Sequence, residues 1–373
     1  MIRHATKAVL MLIASAALLA LVVILVGFDA TVDALAQAGP LAFLSTGVAL
    51  AAVLVIQAVA WAVLNRPVAH RIPFGTLLGA TTAGMAGNIL TPSTYLGGEP
   101  VKVIYAGRKT GLPYQELAGT VLLAKYLEAL SFVLALAVVS TVAAVALRDV
   151  LFTQVNLPLG VAAVAAIGAA LALFAVLCVS LARRWTPVSR VVSVLVRLRI
   201  ARRFFLRLLR RSLRMEQQVS RVFREEHLAV WPVFALYALT HAVMFVKPLA
   251  FFYFGWRIGL GFAELGLIFL TCQVLLAFQL TPSGVGTLDG GLLGMLAVAG
   301  IAISQPQCAA FLLCVRFWDA VLLAAGAFLA ARAGATFFTK PKDPDRWDED
   351  AQPGDQGPLQ RERQARGSES LGS

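Results

Sequence analysis

Apolar residues along this chain come in long runs, not in the alternating or single-stripe patterns of a soluble domain. Runs long enough to cross a hydrocarbon core of ~30 Å lie at about 8–27, 41–64, 117–147, 158–182, 228–254 and 308–333. Two further apolar stretches, 74–96 and 260–303, are broken by Gly, Pro and polar residues. A backbone in lipid must satisfy its own hydrogen bonds, which makes helix the expected state of such segments. The pattern predicts an all-α polytopic membrane protein with about six spanning helices and two re-entrant, broken-helix hairpins. The first run follows Arg3 and Lys7 as a signal peptide's would, and Ala34-Leu35-Ala36 would suit cleavage. At 20 residues, however, it is long for a signal core and is taken as a span.

Composition agrees with this pattern. The residues are 59% hydrophobic and 14% charged, and the mean hydropathy is +0.79. A soluble domain of 373 residues could not hide that much apolar surface, because much of any folded surface faces water. Cys178, Cys272, Cys308 and Cys314 all lie in apolar stretches without metal-ligand spacing and are expected to act as small hydrophobes.

The net charge of +12 raises the question of nucleic acid, but its distribution argues against that partner. Thirteen of the 32 basic residues lie between Arg183 and Arg224, and six more follow residue 333, mixed with eight acidic ones. The excess of basic residues on cytoplasmic loops orients the chain. With a cytoplasmic N-terminus and both broken stretches returning to their own side, 26 basic residues face inward and only Arg148 and Arg257 face outward. Lys125, Lys247, Arg316 and Arg332 fall within spans, Lys247 near an outer end where it can snorkel. Reading 74–96 as a full crossing would put the thirteen arginines outside. The first hairpin therefore enters from the cytoplasm and the second from the opposite side. The loop 183–227 sets Arg199, Arg203, Arg207, Arg210 and Arg214 beside Ile200, Phe204, Leu208 and Leu213 at helical spacing. It predicts an amphipathic helix on the inner leaflet, either a topology anchor or a recruiter of anionic lipid.

The chain also repeats itself. Leu90-Thr91-Pro92-Ser93 recurs as Leu280-Thr281-Pro282-Ser283, and a carboxylate follows at the same distance, Glu99 in one copy and Asp289 in the other. Glycines intervene in both, Gly97 and Gly98 against Gly284 and Gly286. The next span of each copy carries a basic-aromatic-x-acidic quartet: Lys125-Tyr126-Leu127-Glu128 and Arg316-Phe317-Trp318-Asp319. The offsets are 190 for the first two features and 191 for the ends of the quartet. Combined with the charge-derived topology, the copies at about 41–147 and 228–333 are inverted relative to one another. That arrangement is typical of secondary transporters, whose substrate site lies near the midplane where the repeats meet.

The motifs have chemistry of their own. Thr-Pro ends an incoming half-helix, because proline removes a donor and disfavours helix before it. The glycines allow a tight reversal, and Glu99-Pro100 suits the start of the outgoing half-helix, with Asp289 in the same capping part. Half-helix N-termini can bind phosphate or carboxylate, or the motifs simply let the chain turn inside protein. Asn88 and Gln279 stand just before the breaks, able to satisfy freed backbone groups or touch a headgroup. Lys125 with Glu128, and Arg316 with Asp319, are i,i+3 pairs that must face the interior. Each is either a structural ion pair or a site in which the cation receives a phosphate. His241 is expected in a polar contact or a proton relay, and Gln273 in a hydrogen bond between helices. No nucleophile elbow, phosphate-binding loop, His-Glu-x-x-His or cysteine cluster occurs. No catalytic residue, metal or cofactor is expected, although an intramembrane acid/base enzyme using Glu99 and Asp289 stays conceivable.

The run from Asn88 through Thr91, Pro92, Gly97, Gly98, Glu99 and Pro100 to Lys102, with Leu280 through Thr281, Pro282, Ser283, Gly284, Gly286 and Asp289 to Gly290, resembles the flippase-like integral membrane family that includes the transmembrane region of lysylphosphatidylglycerol synthases. The second motif has Asp289 where that family usually carries glutamate. The resemblance covers most of 8–335 and implies movement of a lipid between leaflets of the inner membrane, in known members an aminoacylated phosphatidylglycerol. It does not imply synthesis, since the synthase members carry a separate soluble aminoacyl-transfer domain. Here the last span is followed by 336–373, a polar tail rich in Pro, Asp, Glu, Arg, Gly and Ser that is expected to be disordered and cytoplasmic.

The expectation is therefore a transmembrane domain over 1–335 that moves an anionic, aminoacylated or polyprenyl-type lipid. One alternative is a non-transporting partner that presents lipid to an enzyme on another chain, and another is an intramembrane enzyme acting on a headgroup.

Overall fold

The computed structural model describes residues 26–65, 72–90, 97–146, 227–277, 284–299 and 301–334, with a few isolated positions besides. Among these residues there are eight helices and no strands: α1 (Phe28–Leu64), α2 (Phe74–Leu90), α3 (Glu99–Thr110), α4 (Tyr114–Ala146), α5 (His227–Trp256), α6 (Phe262–Ala277), α7 (Thr287–Ala299) and α8 (Gln305–Arg332). Four of them, α1, α4, α5 and α8, contain stretches long and apolar enough to cross a membrane. Their outward faces carry exposed Leu41, Val48, Val55, Leu239, Val246, Val321 and Phe328, an apolar coat suited to lipid. The chain is a helical membrane protein. The expected span at 158–182, the arginine-rich loop 183–227 and the tail 336–373 lie outside the described residues, apart from isolated positions. Most of the run at 8–27 does so as well.

The order long–short–short–long occurs twice. At ~1.5 Å per residue, the 12 residues of α3 and the 13 of α7 are too short to cross ~30 Å of hydrocarbon. Each pairs with the short helix before it. Gly79 of α2 faces Tyr105 of α3, and Gly84 faces Lys102, so the two helices run antiparallel. At the closed end a Cβ on Gly98 would overlap the Gly84 carbonyl, and only glycine lets the backbones come this close. In the second hairpin Gly291 of α7 packs on Leu275 of α6, and Gly284 (φ 65°) and Gly286 (φ 83°) make the left-handed turn into α7.

Small residues also set the spacing of the long helices, as is usual where lipid supplies no hydrophobic drive for association. Gly47 of α1 lies under the Trp318 indole of α8, Gly326 of α8 sits on Thr82, Ala83 and Ala86 of α2, and Gly266 of α6 faces Val139 and Ala143 of α4. The Trp318 Nε1–H donates to the Phe43 carbonyl at 3.0 Å, tying α8 to α1. The longest interface joins α1 and α5, which are antiparallel: Ala38 and Ala42 meet Gly255 at one end, while Ala60 and Leu64 share a cluster with Ala229 and Val233 at the other. α8 packs on α1 and α2 as α4 packs on α5 and α6.

Three sequence expectations change. Residues 28–38 are helical and run into the following span through a kink at Gly39 (φ 72°) before Pro40, where a loop was expected between two spans. Glycine adopts the left-handed angle, and proline's missing N–H removes the bond that would hold the helix straight. The outgoing arm of the first hairpin is α3, which begins at Glu99-Pro100 as expected but runs on to Thr110, well past the apolar stretch 74–96. Lys102, counted among the inward-facing loop charges, is consequently buried at 9% exposure. Arg108, near the end of α3, donates from Nη1 to the Gly334 carbonyl and thereby caps the C-terminus of α8.

The tight α2–α3 contact yields a prediction. Gly98→Ala forces two backbones apart and is expected to cost about 1–3 kcal/mol, read as a lower unfolding temperature in detergent. Gly290→Ala, where a Cβ meets nothing within 4 Å, serves as the control and leaves that temperature unchanged or higher. Equal behaviour of the two variants would refute the close approach.

Candidate functional site

Both hairpin tips leave backbone N–H groups without helical partners, and side chains nearby accept from them. In the first, Asn88 Oδ1 at the end of α2 accepts from the Gly98 N–H at 2.7 Å. In the second, Asp289 Oδ2 accepts from the Gly286 N–H, also at 2.7 Å. Asp289 is the third residue of α7 and caps backwards onto the residue preceding the helix. Glu99, expected to share that role, does not: α3 has no side-chain cap, and its carboxylate turns to lysines instead.

Each tip lies beside a group of charges. In the first half Lys125 of α4 stands 3.3 Å from Glu99 and 2.9 Å from Glu128, while Lys102 lies 3.6 Å from Glu99. In the second, Arg316 of α8 donates from Nη2 to Asp289 Oδ1 at 2.9 Å and from Nη1 to Asp319 at 3.4 Å. Asp289 is fully buried, so a single carboxylate both caps a half-helix and holds an arginine. The spacing of the quartets was therefore a correct guide to local pairs. It did not disclose that each basic residue also reaches the carboxylate of its own hairpin.

Between the two groups lies a cavity of about 250 Å³. Lys102, Lys125 and Glu128 enter its wall from one half, Lys247, Arg316 and Asp319 from the other, and Asn88 and Gln273 also line it. The remaining wall is largely apolar, including Ile268, Phe269, Leu292 and Phe311. A second, water-sized space of about 10 Å³ adjoins the first group beside Glu99 and Tyr237.

Of the residues singled out in the sequence, Asn88, Lys102, Lys125, Glu128, Arg316 and Asp319 meet at this cavity. Gly97, Gly98, Glu99, Gly284, Gly286 and Asp289 form the hairpin tips and their supports behind it. Thr91, Pro92, Gln279, Thr281, Pro282 and Ser283 lie outside the described residues. His241 sits between α4 and α5, with Nε2 3.5 Å from the Glu128 carbonyl and its ring against Phe132. Gln273 lines the cavity.

Sequence reasoning missed two lining residues. Lys247 opens into the cavity instead of snorkelling outward, and Gln57 of α1 lines it as well. They stand 190 positions apart, the offset of the hairpin motifs, and that spacing was the available signal.

The double use of Asp289 yields a second prediction. Asp289→Asn weakens both the α7 cap and the arginine's shortest ion pair. Breaking a buried pair costs about 3–5 kcal/mol, and because Asp289 also holds the Gly286 N–H, the unfolding temperature should fall further than in Glu99→Gln, whose carboxylate caps nothing. Equal shifts would refute the double role.

The family model described as the lysylphosphatidylglycerol synthase TM region matches residues 9–326. No curated protein and no solved structure matches the chain.

Proposed function

The chain belongs to the lysylphosphatidylglycerol synthase TM region family, and on that premise we propose that it carries a lipid between membrane leaflets, with the charged headgroup in the cavity and the acyl chains left in the bilayer. The observation that carries this reading is a single space lined by charged side chains from both halves and otherwise largely by apolar ones. Its volume of about 250 Å³ falls below the ~300–1,000 Å³ of sites that engulf a drug-sized ligand. It suits a headgroup and excludes two acyl chains. The cavity wall offers two lysines from the first half, and a lysine and an arginine from the second, for a phosphate. Glu128 and Asp319 are placed to receive a cationic substituent of the same headgroup.

In this reading the two hairpins are re-entrant and the halves form an inverted repeat. The antiparallel α1–α5 pair supports it: a two-fold axis that exchanges these helices crosses them at right angles and so lies in the membrane plane, the geometry of inverted transporter repeats. The protein resides in the inner membrane with both termini cytoplasmic, as its basic residues favour. It transports without chemical change to the lipid and needs no cofactor.

The test is lipid movement by the purified protein alone in proteoliposomes, read with a leaflet-resolved assay of labelled phosphatidylglycerol. Glu99→Gln and Arg316→Lys, which keeps a cation beside Asp289, are expected to slow it at least tenfold while the proteins remain folded. Translocation at the parent rate in both variants would refute the site. No translocation by the parent would refute transport and favour a protein that presents lipid to an enzyme on another chain.

A further inference from the structure

Lys247 differs from the other three cations of the cavity. Lys102, Lys125 and Arg316 each have a carboxylate within ion-pair distance. Lys247 has none among the described residues; its ammonium lies 6.0 Å from the centre of the Phe311 ring, the outer limit of a cation–π contact. It is half-buried on a membrane helix, with Asp319 acting on it only from beyond ion-pair distance, and a charge held so loosely is costly there. Its neighbours in the wall include Cys272, Phe311, Arg316 and Asp319. The related position in the other half, 190 residues earlier, is Gln57, which is neutral. The two halves therefore offer the cavity unlike ends.

From this asymmetry we infer that Lys247 is the phosphate-binding residue of the cavity, holding an anionic amphiphile by its headgroup at the Arg316–Asp319 end. This inference rests on a lipid headgroup entering the cavity. The phosphate supplies the direct ion-pair partner that Lys247 lacks among the described residues, and the guanidinium of Arg316, steered by Asp289 and Asp319, gives a second donor. At the opposite end Gln57 is neutral and Lys102 and Lys125 are already held by Glu99 and Glu128, so the phosphate rests beside Lys247.

Binding to the purified protein in neutral detergent tests this, with dihexanoylphosphatidylglycerol as probe and dihexanoylglycerol, the same chains without phosphate, as its control. The parent binds the phospholipid more tightly than the diglyceride, and Lys247→Gln weakens the phospholipid roughly ten- to hundredfold, the worth of one charged hydrogen bond. Lys247→Arg retains binding. In the double variant Gln57→Lys with Lys247→Gln, affinity is not recovered. Unchanged phospholipid binding in Lys247→Gln overturns the assignment, and so does full recovery in the double variant, which would mean that net cavity charge alone decides. Inorganic phosphate that displaces the phospholipid at equal concentration overturns the amphiphile.

A measurement on the unaltered protein holds if Lys247→Gln fails to fold. The phospholipid, and not the diglyceride, slows modification of Cys272 by a neutral thiol reagent, read by peptide mass spectrometry; equal rates overturn the proposal. Phosphate-dependent binding in a protein that moves no lipid would leave this site standing and remove only the transport reading.

Discussion

The helices α3 and α7 begin just after buried residues, Gly98 and Gly286, whose N–H groups must find their partners within the protein. Every other feature of the site depends on meeting that constraint from within. Asn88 meets it for the first hairpin by accepting from Gly98, and Asp289 meets it for the second by accepting from Gly286. The solutions differ in charge, and the difference propagates. A neutral amide leaves Glu99 available to Lys102 and Lys125. A carboxylate cap brings its own negative charge to the tip, and Arg316 answers it at 2.9 Å. Burying charge beside a turn is tolerable only because each group is paired.

The two halves thus follow one plan with unequal parts. The first draws its second cation from α3, as Lys102, at the position where α7 carries Leu292. The second draws it from α5, as Lys247, at the position where α1 carries Gln57. Each half ends with two basic and two acidic side chains, so the interior is balanced although its parts are placed differently. An interior that was wholly symmetric would present a headgroup with two equal resting places. The observed placement makes the two ends chemically unlike, and the proposed phosphate site depends on that difference.

Packing around the cavity is arranged to preserve it. Glycines at 84, 98 and 326 bring helices to backbone distance, while those at 47 and 266 make room for Trp318 and Val139 of the facing helices. Trp318 both fills the groove over Gly47 and donates to the Phe43 carbonyl. The long helices close the structure round the hairpins at both sides.

Much of this was legible in the chain itself. Hydropathy alone located the long helices α4, α5 and α8 to within a few residues, because a span needs a minimum apolar length whatever surrounds it. Identity between Leu90–Ser93 and Leu280–Ser283, followed by matched carboxylates and matched basic-acidic pairs, marked the breaks and the residues around them. The reading failed where partners distant in sequence decide. The start of α3 at Glu99-Pro100 was legible, but its basic residues passed for loop charges because only its packing on α2 across Gly84 and Gly98 buries Lys102. Glu99 and Asp289 occupy equivalent positions, yet only the positions of Lys125 and the Gly286 N–H determine which one pairs and which one also caps. Lys247 could have snorkelled from its place along one helix; its direction towards the cavity is set by α8 and α6 packing around it. Periodicity and spacing govern what a segment does by itself, whereas the identity of a buried charge's neighbour depends on how separate helices come together.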